Sequence, residues 1–290
     1  MLRSLGHSVT IRESFQNERC DVLIALHARK SAADVKRFRV SRPEAALAVV
    51  LTGTDLYRDI HKSRAAQKSL NLADRLVLLQ PHGLKELSPE LHEKVCVVIQ
   101  SAEPPAKRPQ PLKRVFEICV SGHLRPVKDP FRAARAAREL PPESRIRVTQ
   151  IGAALSESMK SQANREVQIN PRYHWPGEVT PSRAKQILAR SRVLVLSSKL
   201  EGGANVVSES LAAGVPVLSS RISGSIGLLG EDYSGYFEVG DTTGLADLML
   251  KCEQNESFLT LLRDQCRKKS SLVNPECERK SLRKLINELR

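Results

Sequence analysis

Two glutamates flank a pair of glycines in the second half of the chain, and this spacing suits a phosphorylated ligand. Glu201 precedes Gly202 and Gly203, and Glu209 lies within a predicted helix that begins near Ala204. A glycine turn that leads into a helix N-terminus binds anions, because unpaired N–H groups and the positive end of the helix dipole meet there. Carboxylates beside such a turn accept hydrogen bonds from hydroxyl groups. The combination predicts a site for a sugar nucleotide.

The segment from Ser197 to Ser220 must position these groups. Its sequence, SSKLEGGANVVSESLAAGVPVLSS, predicts a strand end, a turn, a helix that stops at Gly214, and a strand. The glycines are expected to supply backbone conformations that other residues avoid and to let a ligand approach the main chain. Asn205 lies four residues before Glu209, so both side chains are expected on one helix face. The simpler alternative is an ordinary helix with two solvated glutamates.

The composition argues against several classes of protein. The chain has 290 residues, with 41% hydrophobic residues, 4% aromatic residues and a formal net charge of +14. Scarce aromatics argue against a stacking platform for single-stranded nucleic acid. The basic residues are interleaved with acids, which is typical of a solvated surface, so we expect no nucleic-acid partner. No apolar run could span a bilayer and no leader starts the chain, so we expect no integral membrane association and a cytoplasmic location.

The cysteines and carboxylates show no spacing typical of metal ligands. No Cys-x-x-Cys or Asp-x-Asp pair occurs among the candidate loops, so we expect no metal and no other cofactor. Reduced, buried thiols are the expected state of the cysteines. They are Cys20, Cys96, Cys119, Cys252, Cys266 and Cys277.

Strands alternate with helices along the chain, which predicts an α/β fold with parallel sheets. A proline-rich linker at residues 105–111 divides a Rossmann-like domain at residues 1–104 from a second one at residues 112–270. The last segment, residues 271–290, is expected to be a helix that packs back on the first domain. A short strand is also predicted after Gly6, and Asp241 is the expected N-cap residue of a later helix. Because the chain begins in the middle of a strand–helix unit, the first domain is expected to be N-terminally incomplete.

The spacing Glu-x7-Glu around Gly-Gly, followed by AAGVPV, resembles the donor-site signature of retaining GT-B glycosyltransferases, the family that includes sucrose and glycogen synthases. This resemblance covers nearly the whole chain and implies two Rossmann-like domains that face a cleft. It also implies that Glu209 holds the ribose of the donor and that Glu201 lies near the transferred sugar. The residues between them would bind the diphosphate of a UDP-sugar. These are Gly202, Gly203, Ala204, Asn205 and Val206.

The loop SGHLRPVKDP is expected to complete the donor site. By the resemblance, Arg125 and Lys128 neutralise the diphosphate as it leaves. The family carries an arginine directly after the glycine of this loop, and His123 stands there in this chain. Because fixed positive charges would neutralise the leaving diphosphate, departure of UDP without a metal ion is the expected mechanism.

Six motifs, found in the same order along the chain, restrict the resemblance to one group of these glycosyltransferases. ALHARKSA, LTGTDLYRD, LQPHGL, SGHLRPVKDP, EGGANVVSE and GSIGLLGEDYSGYF are similar to segments of the selenosugar synthases of selenoneine biosynthesis. That family joins selenophosphate to a UDP-sugar of the UDP-GlcNAc or UDP-glucose type, which gives a 1-seleno-sugar, phosphate and UDP. Strand ends of the first domain would supply a cationic, hydroxyl-rich pocket for selenophosphate. The candidates are His27, Arg29, Lys30, Thr52, Thr54, Asp55 and Arg58.

Three other functions stay open at this point. The chain is compatible with a different GT-B hexosyltransferase that acts on a lipid, a polysaccharide or a small molecule. A missing first strand would fit a nucleotide-sugar binder without catalytic activity. A nucleic-acid binder is motivated by the net charge alone.

Overall fold

The computed structural model describes residues 1–106 and 109–289, which form two compact units. The first unit contains Met1–Ser101, Leu200–Gly203 and the C-terminal helix that begins at Pro275. The second unit contains Ala102–Lys199 and Ala204–Asn274. The predicted linker, residues 105–111, lies partly outside the described residues, and its described part contains neither helix nor strand.

Each unit is built on one parallel sheet. The first unit has four strands in the order β1-β2-β3-β4, and the second has six in the order β10-β9-β8-β5-β6-β7. Parallel strands bring their carboxyl ends to the same edge of a sheet, so the loops that follow them gather there. The strands are β1 (Val22–Leu26), β2 (Ala46–Leu51), β3 (Arg75–Leu78), β4 (Val95–Val97), β5 (Phe116–Ser121), β6 (Ile146–Ile151), β7 (Tyr173–Gly177), β8 (Val193–Leu196), β9 (Val217–Ser220) and β10 (Tyr236–Phe237).

Helices connect these strands. The α-helices are α1 (Ala32–Ser41), α2 (Ile60–Lys62), α3 (Arg64–Leu72), α4 (Arg132–Arg138), α5 (Glu157–Ile169), α6 (Pro181–Arg190), α7 (Asn205–Ala213), α8 (Ser223–Leu229), α9 (Thr242–Gln254), α10 (Glu256–Lys269) and α11 (Pro275–Glu288). Shorter 3-10 segments span Leu2–Leu5, Pro81–Glu86, Pro89–Lys94, Pro126–Lys128 and Ser270–Val273, and a π-helical turn spans Asp55–Asp59.

The sheet of the first unit has a separate apolar core on each face. On one face, Phe38 of α1 and Leu70 of α3 pack with buried side chains of β2 and β3. On the other face, Leu285 and Ile286 of α11 pack with Val77 and other side chains of the sheet. Burial on both faces explains why the strands are continuous apolar runs rather than alternating ones.

Two local predictions for helix ends are confirmed, and one strand prediction is wrong. Gly214 ends α7 in the left-handed conformation, with φ of 66°. Asp241 caps α9 by accepting a hydrogen bond from Gly244 N at 2.9 Å. The residues after Gly6 form no strand. Instead, the carbonyl group of Val9 accepts a hydrogen bond from the side chain of Arg3, so the segment lacks the ladder that a strand requires.

The prediction of buried thiols holds for Cys96, Cys119, Cys252 and Cys266, which are free and buried. Burial raises the pKa of these thiols, to about 12 in Cys252. The prediction is wrong for Cys277, which is exposed on α11. That helix is solvated on one side, so a cysteine there does not have to enter the core.

Candidate functional site

The glycine pair at residues 202–203 lies against the strand ends of the first unit. A Cβ atom on Gly202 would lie 2.5 Å from Thr52 O, and one on Gly203 would lie 2.5 Å from Leu79 Cβ. Both distances are far shorter than a van der Waals contact, so only glycine fits. Neither glycine is among the described residues with positive φ. The expectation of an unusual backbone conformation was therefore wrong, because close packing against the chain itself requires the glycines.

Helix α7 begins at the place that the sequence predicted. Ala204 is its N-cap residue and supplies no side-chain cap, which leaves room for an anion as the partner of the first amide groups, including that of Val206. Asn205 Nδ2 donates to Glu209 Oε1 at 3.3 Å. The prediction that these two side chains share one helix face is confirmed.

Glu209 is half-buried, and its ionisation is disfavoured. Burial raises the pKa of its carboxyl group, while the positive charge of Lys185 acts in the opposite direction. When the pKa of a carboxyl group is higher in the folded state, its ionised form costs stability at pH values above that pKa. The cost vanishes at low pH, where the group is protonated in both the folded and the unfolded state.

Glu209→Gln is therefore expected to raise the melting temperature of the ligand-free protein at neutral pH. The gain should shrink as the pH falls through the glutamate range, because the parent side chain is then neutral as well. Thermal denaturation across this pH range measures the effect. Glu178→Gln, at an exposed position, serves as the control. Equal melting temperatures of parent and Glu209→Gln at neutral pH would contradict the expectation.

The turn that carries Arg125 and Lys128 is fastened to the end of β8. Lys199 N donates to Val127 O at 2.8 Å. Ser197 Oγ lies 3.2 Å from Lys128 O and 2.9 Å from Asp129 O. Because β5, which precedes this turn, pairs with β8, the turn and the loop before α7 leave neighbouring strands of one sheet.

His123 is held by the backbone of the following strand end. Ala153 N donates to His123 Nδ1 at 3.1 Å, so the ring carries its proton on Nε2. The chain is crowded here, because a Cβ atom on Gly152 would lie 2.8 Å from His123 N. At the position where the resemblance places an arginine, this chain therefore presents one oriented N–H donor.

Asp55 was predicted to line an anion pocket, and the structure places it in the interior instead. Its side chain is completely buried. The carboxylate accepts hydrogen bonds from Ala28 N, Thr52 N and Gly53 N, each at 2.9 Å, and Thr52 Oγ1 lies 3.3 Å from it. Both oxygens are thus engaged by the loops that follow β1 and β2. The structure corrects the expectation: Asp55 joins two strand ends and is not exposed to a ligand.

A second aspartate, Asp59, organises the remaining candidates of the first unit. It lies one helical turn after Asp55 and is also buried. Arg29 Nε and Arg58 Nε each lie 3.3 Å from one of its oxygens, and His27 Nε2 lies 3.8 Å away. The sequence reasoning missed Asp59, although the i, i+4 spacing of the two aspartates indicated that both share one helix face.

The predicted site residues fall into two groups, one in each unit. The first unit holds the acceptor candidates, where His27 Nε2 lies 3.0 Å from Thr54 Oγ1 and where Lys30 and Thr52 are exposed. It also holds Glu201, Gly202 and Gly203, which belong to the segment Leu200–Gly203. The second unit holds the cationic turn and the start of α7. Its predicted members are Arg125, Lys128, Ala204, Asn205, Val206 and Glu209.

The described residues contain neither a candidate metal-binding group nor a candidate membrane span. No group of three or more His, Cys, Asp or Glu side chains is placed to hold a metal ion in residues 1–106 and 109–289. Within the same residues, no helix has the length and apolar character needed to cross a bilayer.

Several solved structures share the architecture of this chain. Anabaena Alr3699/HepE in complex with UDP aligns with a TM-score of 0.77 at 15% identity, over 92% of this chain and 78% of that chain. The E. coli trehalose-6-phosphate structure bound with UDP-2-fluoro glucose aligns with a TM-score of 0.76 at 14% identity, over 96% of this chain and 74% of that chain. Sucrose-phosphate synthase from Thermosynechococcus elongatus aligns with a TM-score of 0.75 at 15% identity, over 93% of this chain and 73% of that chain. The predicted α/β fold of the GT-B type is confirmed.

Sequence comparison identifies the family. Curated protein sequences gave no match. The family model described as glycosyl transferases group 1 matches residues 105–271, which is more than half of the chain. The match contains the turn with Lys128, the loop before α7 and Glu209. Together with the two Rossmann-like sheets, it shows that the chain belongs to the group 1 glycosyl transferases.

Proposed function

We propose that this glycosyltransferase transfers a sugar from a UDP-sugar to selenophosphate and that UDP leaves without a metal ion. One observation carries the donor part. The Arg125–Lys128 turn and the N-terminus of α7 follow β5 and β8, which are neighbouring strands. Both features supply positive charge to a diphosphate. Complexes of Alr3699/HepE with UDP and with UDP-glucose support a UDP-sugar as the donor.

In this proposal, each donor residue acts on a different part of the leaving nucleotide. Arg125, Lys128 and the first amides of α7 offset the charge that develops on the diphosphate, so that no proton donor is needed. Glu209 accepts hydrogen bonds from the ribose hydroxyls. Asn205, which already contacts Glu209, fixes the orientation of that carboxylate. Glu201 lies near the transferred sugar by the family resemblance.

The acceptor part rests on the six motifs and on the basic strand ends of the first unit. Selenophosphate is a small anion and a strong nucleophile. A selenium lone pair forms the bond to C1 of the sugar while the C1–O bond breaks, and its electron pair leaves on the UDP oxygen. Water then cleaves the Se–P bond, which releases phosphate and the 1-seleno-sugar. The first step moves no proton, so it requires no general base.

The experiment supplies the full chain with selenophosphate and either UDP-GlcNAc or UDP-glucose, with and without EDTA. Mass spectrometry detects the seleno-sugar, and a coupled assay detects UDP. Formation of both products in EDTA is the expected result. Loss of transfer on chelation refutes the metal-independent scheme. Transfer to an alcohol with no reaction of selenophosphate favours another hexosyltransferase, and donor binding without turnover favours a binder.

Glu209→Ala is expected to weaken UDP binding by about 1.5–3 kcal/mol, or roughly 10- to 150-fold, because the ribose loses a charged hydrogen-bond acceptor. The rate of the chemical step should change much less, since the ribose contact exists before and after transfer. Calorimetry with UDP and the separate values of kcat and KM measure the two effects. Glu178→Ala is the matched control. An unchanged UDP affinity of Glu209→Ala would refute the ribose contact.

A further inference from the structure

A buried aspartate lies behind two exposed arginines at the strand ends of the first unit. The side chain of Asp59 is only 5% exposed, whereas those of Arg29 and Arg58 are 52% and 58% exposed. Arg29 Nε lies 3.3 Å from Asp59 Oδ2, and Arg58 Nε lies 3.3 Å from Asp59 Oδ1. One carboxylate therefore holds both guanidinium groups from the inner side, with one arginine on each oxygen.

Both arginines approach Asp59 through Nε, and this determines where their other donors lie. A guanidinium group is planar and carries five N–H donors in a fixed arrangement. Because Nε is the nitrogen that each arginine places beside the buried carboxylate, the terminal amino groups of Arg29 and Arg58 remain for another partner. Neither guanidinium has a second ion-pair partner in residues 1–106 and 109–289.

His27 and Thr54 add oriented hydrogen-bonding groups beside the arginines. Lys30 N donates to His27 Nδ1 at 3.3 Å, so the ring proton lies on Nε2. Thr54 Oγ1 lies 3.0 Å from Nε2 and accepts a hydrogen bond from this N–H group. A hydroxyl that accepts in this way keeps its own proton to donate to a ligand. His27 holds this place with φ of 76°, a conformation that is uncommon for non-glycine residues.

One carboxylate oxygen of Asp59 lacks a well-aligned hydrogen bond within the described part of the chain. Its Oδ2 atom is buried and makes no well-aligned hydrogen bond with any described residue. Arg29 Nε lies 3.3 Å from this oxygen and His27 Nε2 lies 3.8 Å from it. A buried carboxylate oxygen in this state is costly, and native proteins keep such groups where they have a role. A ligand that fixes Arg29 would improve the alignment of its ion pair with Asp59.

We infer that Asp59 is a positioning residue that aims Arg29 and Arg58 at a doubly charged, tetrahedral oxyanion of the phosphate type. This inference rests on the proposed function, in which the acceptor is such an anion. A dianion engages two guanidinium groups and the Thr54 hydroxyl together, whereas a neutral alcohol adds no negative charge to that of Asp59. Lys30 adds a third positive charge, so the cations exceed the two buried carboxylates, Asp55 and Asp59. The site therefore selects dianions over monoanions and neutral acceptors.

The test uses inorganic phosphate as the probe and the full chain without UDP-sugar. Calorimetry at low ionic strength is expected to show tighter binding as the pH rises and phosphate gains its second charge. Asp59→Asn should weaken phosphate binding about tenfold, because the arginines lose their common anchor. Arg29→Lys should weaken it as well, because lysine keeps the charge but lacks the planar fork. The melting temperature of each variant verifies that it is folded.

Two control variants separate positioning from general effects. Asp34→Asn removes a carboxylate that lies 3.3 Å from Arg37 Nη1 on α1 of the same unit. Lys160→Ala removes an exposed cation of α5 in the second unit. Both controls are expected to bind phosphate as the parent does.

The outcomes distinguish this inference from the proposed function. Parent-like phosphate affinity in Asp59→Asn or in Arg29→Lys overturns the positioning role. A parent that binds phosphate no more tightly than acetate overturns the selection of dianions, even if sugar transfer to another acceptor is observed. Phosphate binding that depends on Asp59, in a protein that forms no seleno-sugar, supports the inference and refutes the proposed acceptor.

Discussion

Lys128→Ala is expected to reduce the rate of sugar transfer by about 100- to 1,000-fold, the range found when one fixed donor to a developing negative charge is removed. The lysine lies on a 3-10 turn whose carbonyl groups accept hydrogen bonds from Lys199 N and Ser197 Oγ. Its backbone is thus fixed independently of its side chain. Initial rates of UDP release at saturating UDP-sugar and acceptor measure the loss.

Lys199→Ala is the matched control for this variant. Lys199 is exposed at the end of β8, and its contribution to the turn is a backbone N–H group that alanine retains. We expect this variant to transfer sugar at nearly the parent rate. If Lys128→Ala also retains the parent rate while its melting temperature is unchanged, Lys128 does not neutralise the leaving diphosphate.

Asp55→Ala is expected to destabilise the first unit by about 3–5 kcal/mol, because three backbone N–H groups, two of them in buried hydrogen bonds, lose their acceptor at once. A loss of this size lowers the melting temperature by roughly 10 °C. Hydrogen exchange followed by mass spectrometry should show faster exchange in β1 and β2. The strands of the second unit should retain the protection that they have in the parent.

Asp74→Ala supplies the comparison for Asp55→Ala. Asp74 also accepts a backbone hydrogen bond, from Leu47 N at 2.7 Å, and pairs with Arg39. Its side chain is 46% exposed, so water can replace the lost acceptor and the destabilisation should be smaller. Equal losses in the two variants would show that burial of the Asp55 network is not the source of its effect.

The parts of the fold that depend on neighbours in sequence were predictable. Gly214 and Asp241 end and begin helices through contacts within a few residues, and both were identified from residue type and spacing. The alternation of apolar runs and helical segments likewise predicted two parallel sheets. The same locality explains why Asn205 and Glu209 were placed on one face, since four residues make about one helical turn.

The parts that depend on tertiary contacts were not predictable from one sequence. Gly202 is required by the backbone of Thr52, which is far away along the chain, so its role was attributed to the wrong cause. Asp55 was assigned to a ligand because charge at a strand end suggests a site. The three amide groups that it binds come from two loops, whose approach no periodic pattern encodes. Asp59 was missed for the same reason.

Helix α11 has a consequence for synthesis on the ribosome. Its side chains Leu285 and Ile286 complete the apolar core that contains Ala48 and Val77. The chain emerges from the ribosome N-terminus first, at about 5–20 residues per second. This face of the first sheet therefore stays exposed to solvent until α11 has been synthesised. The second unit has all of its residues by Asn274. The half that is translated first is therefore completed last, and during that delay the nascent protein presents an apolar sheet surface to chaperones.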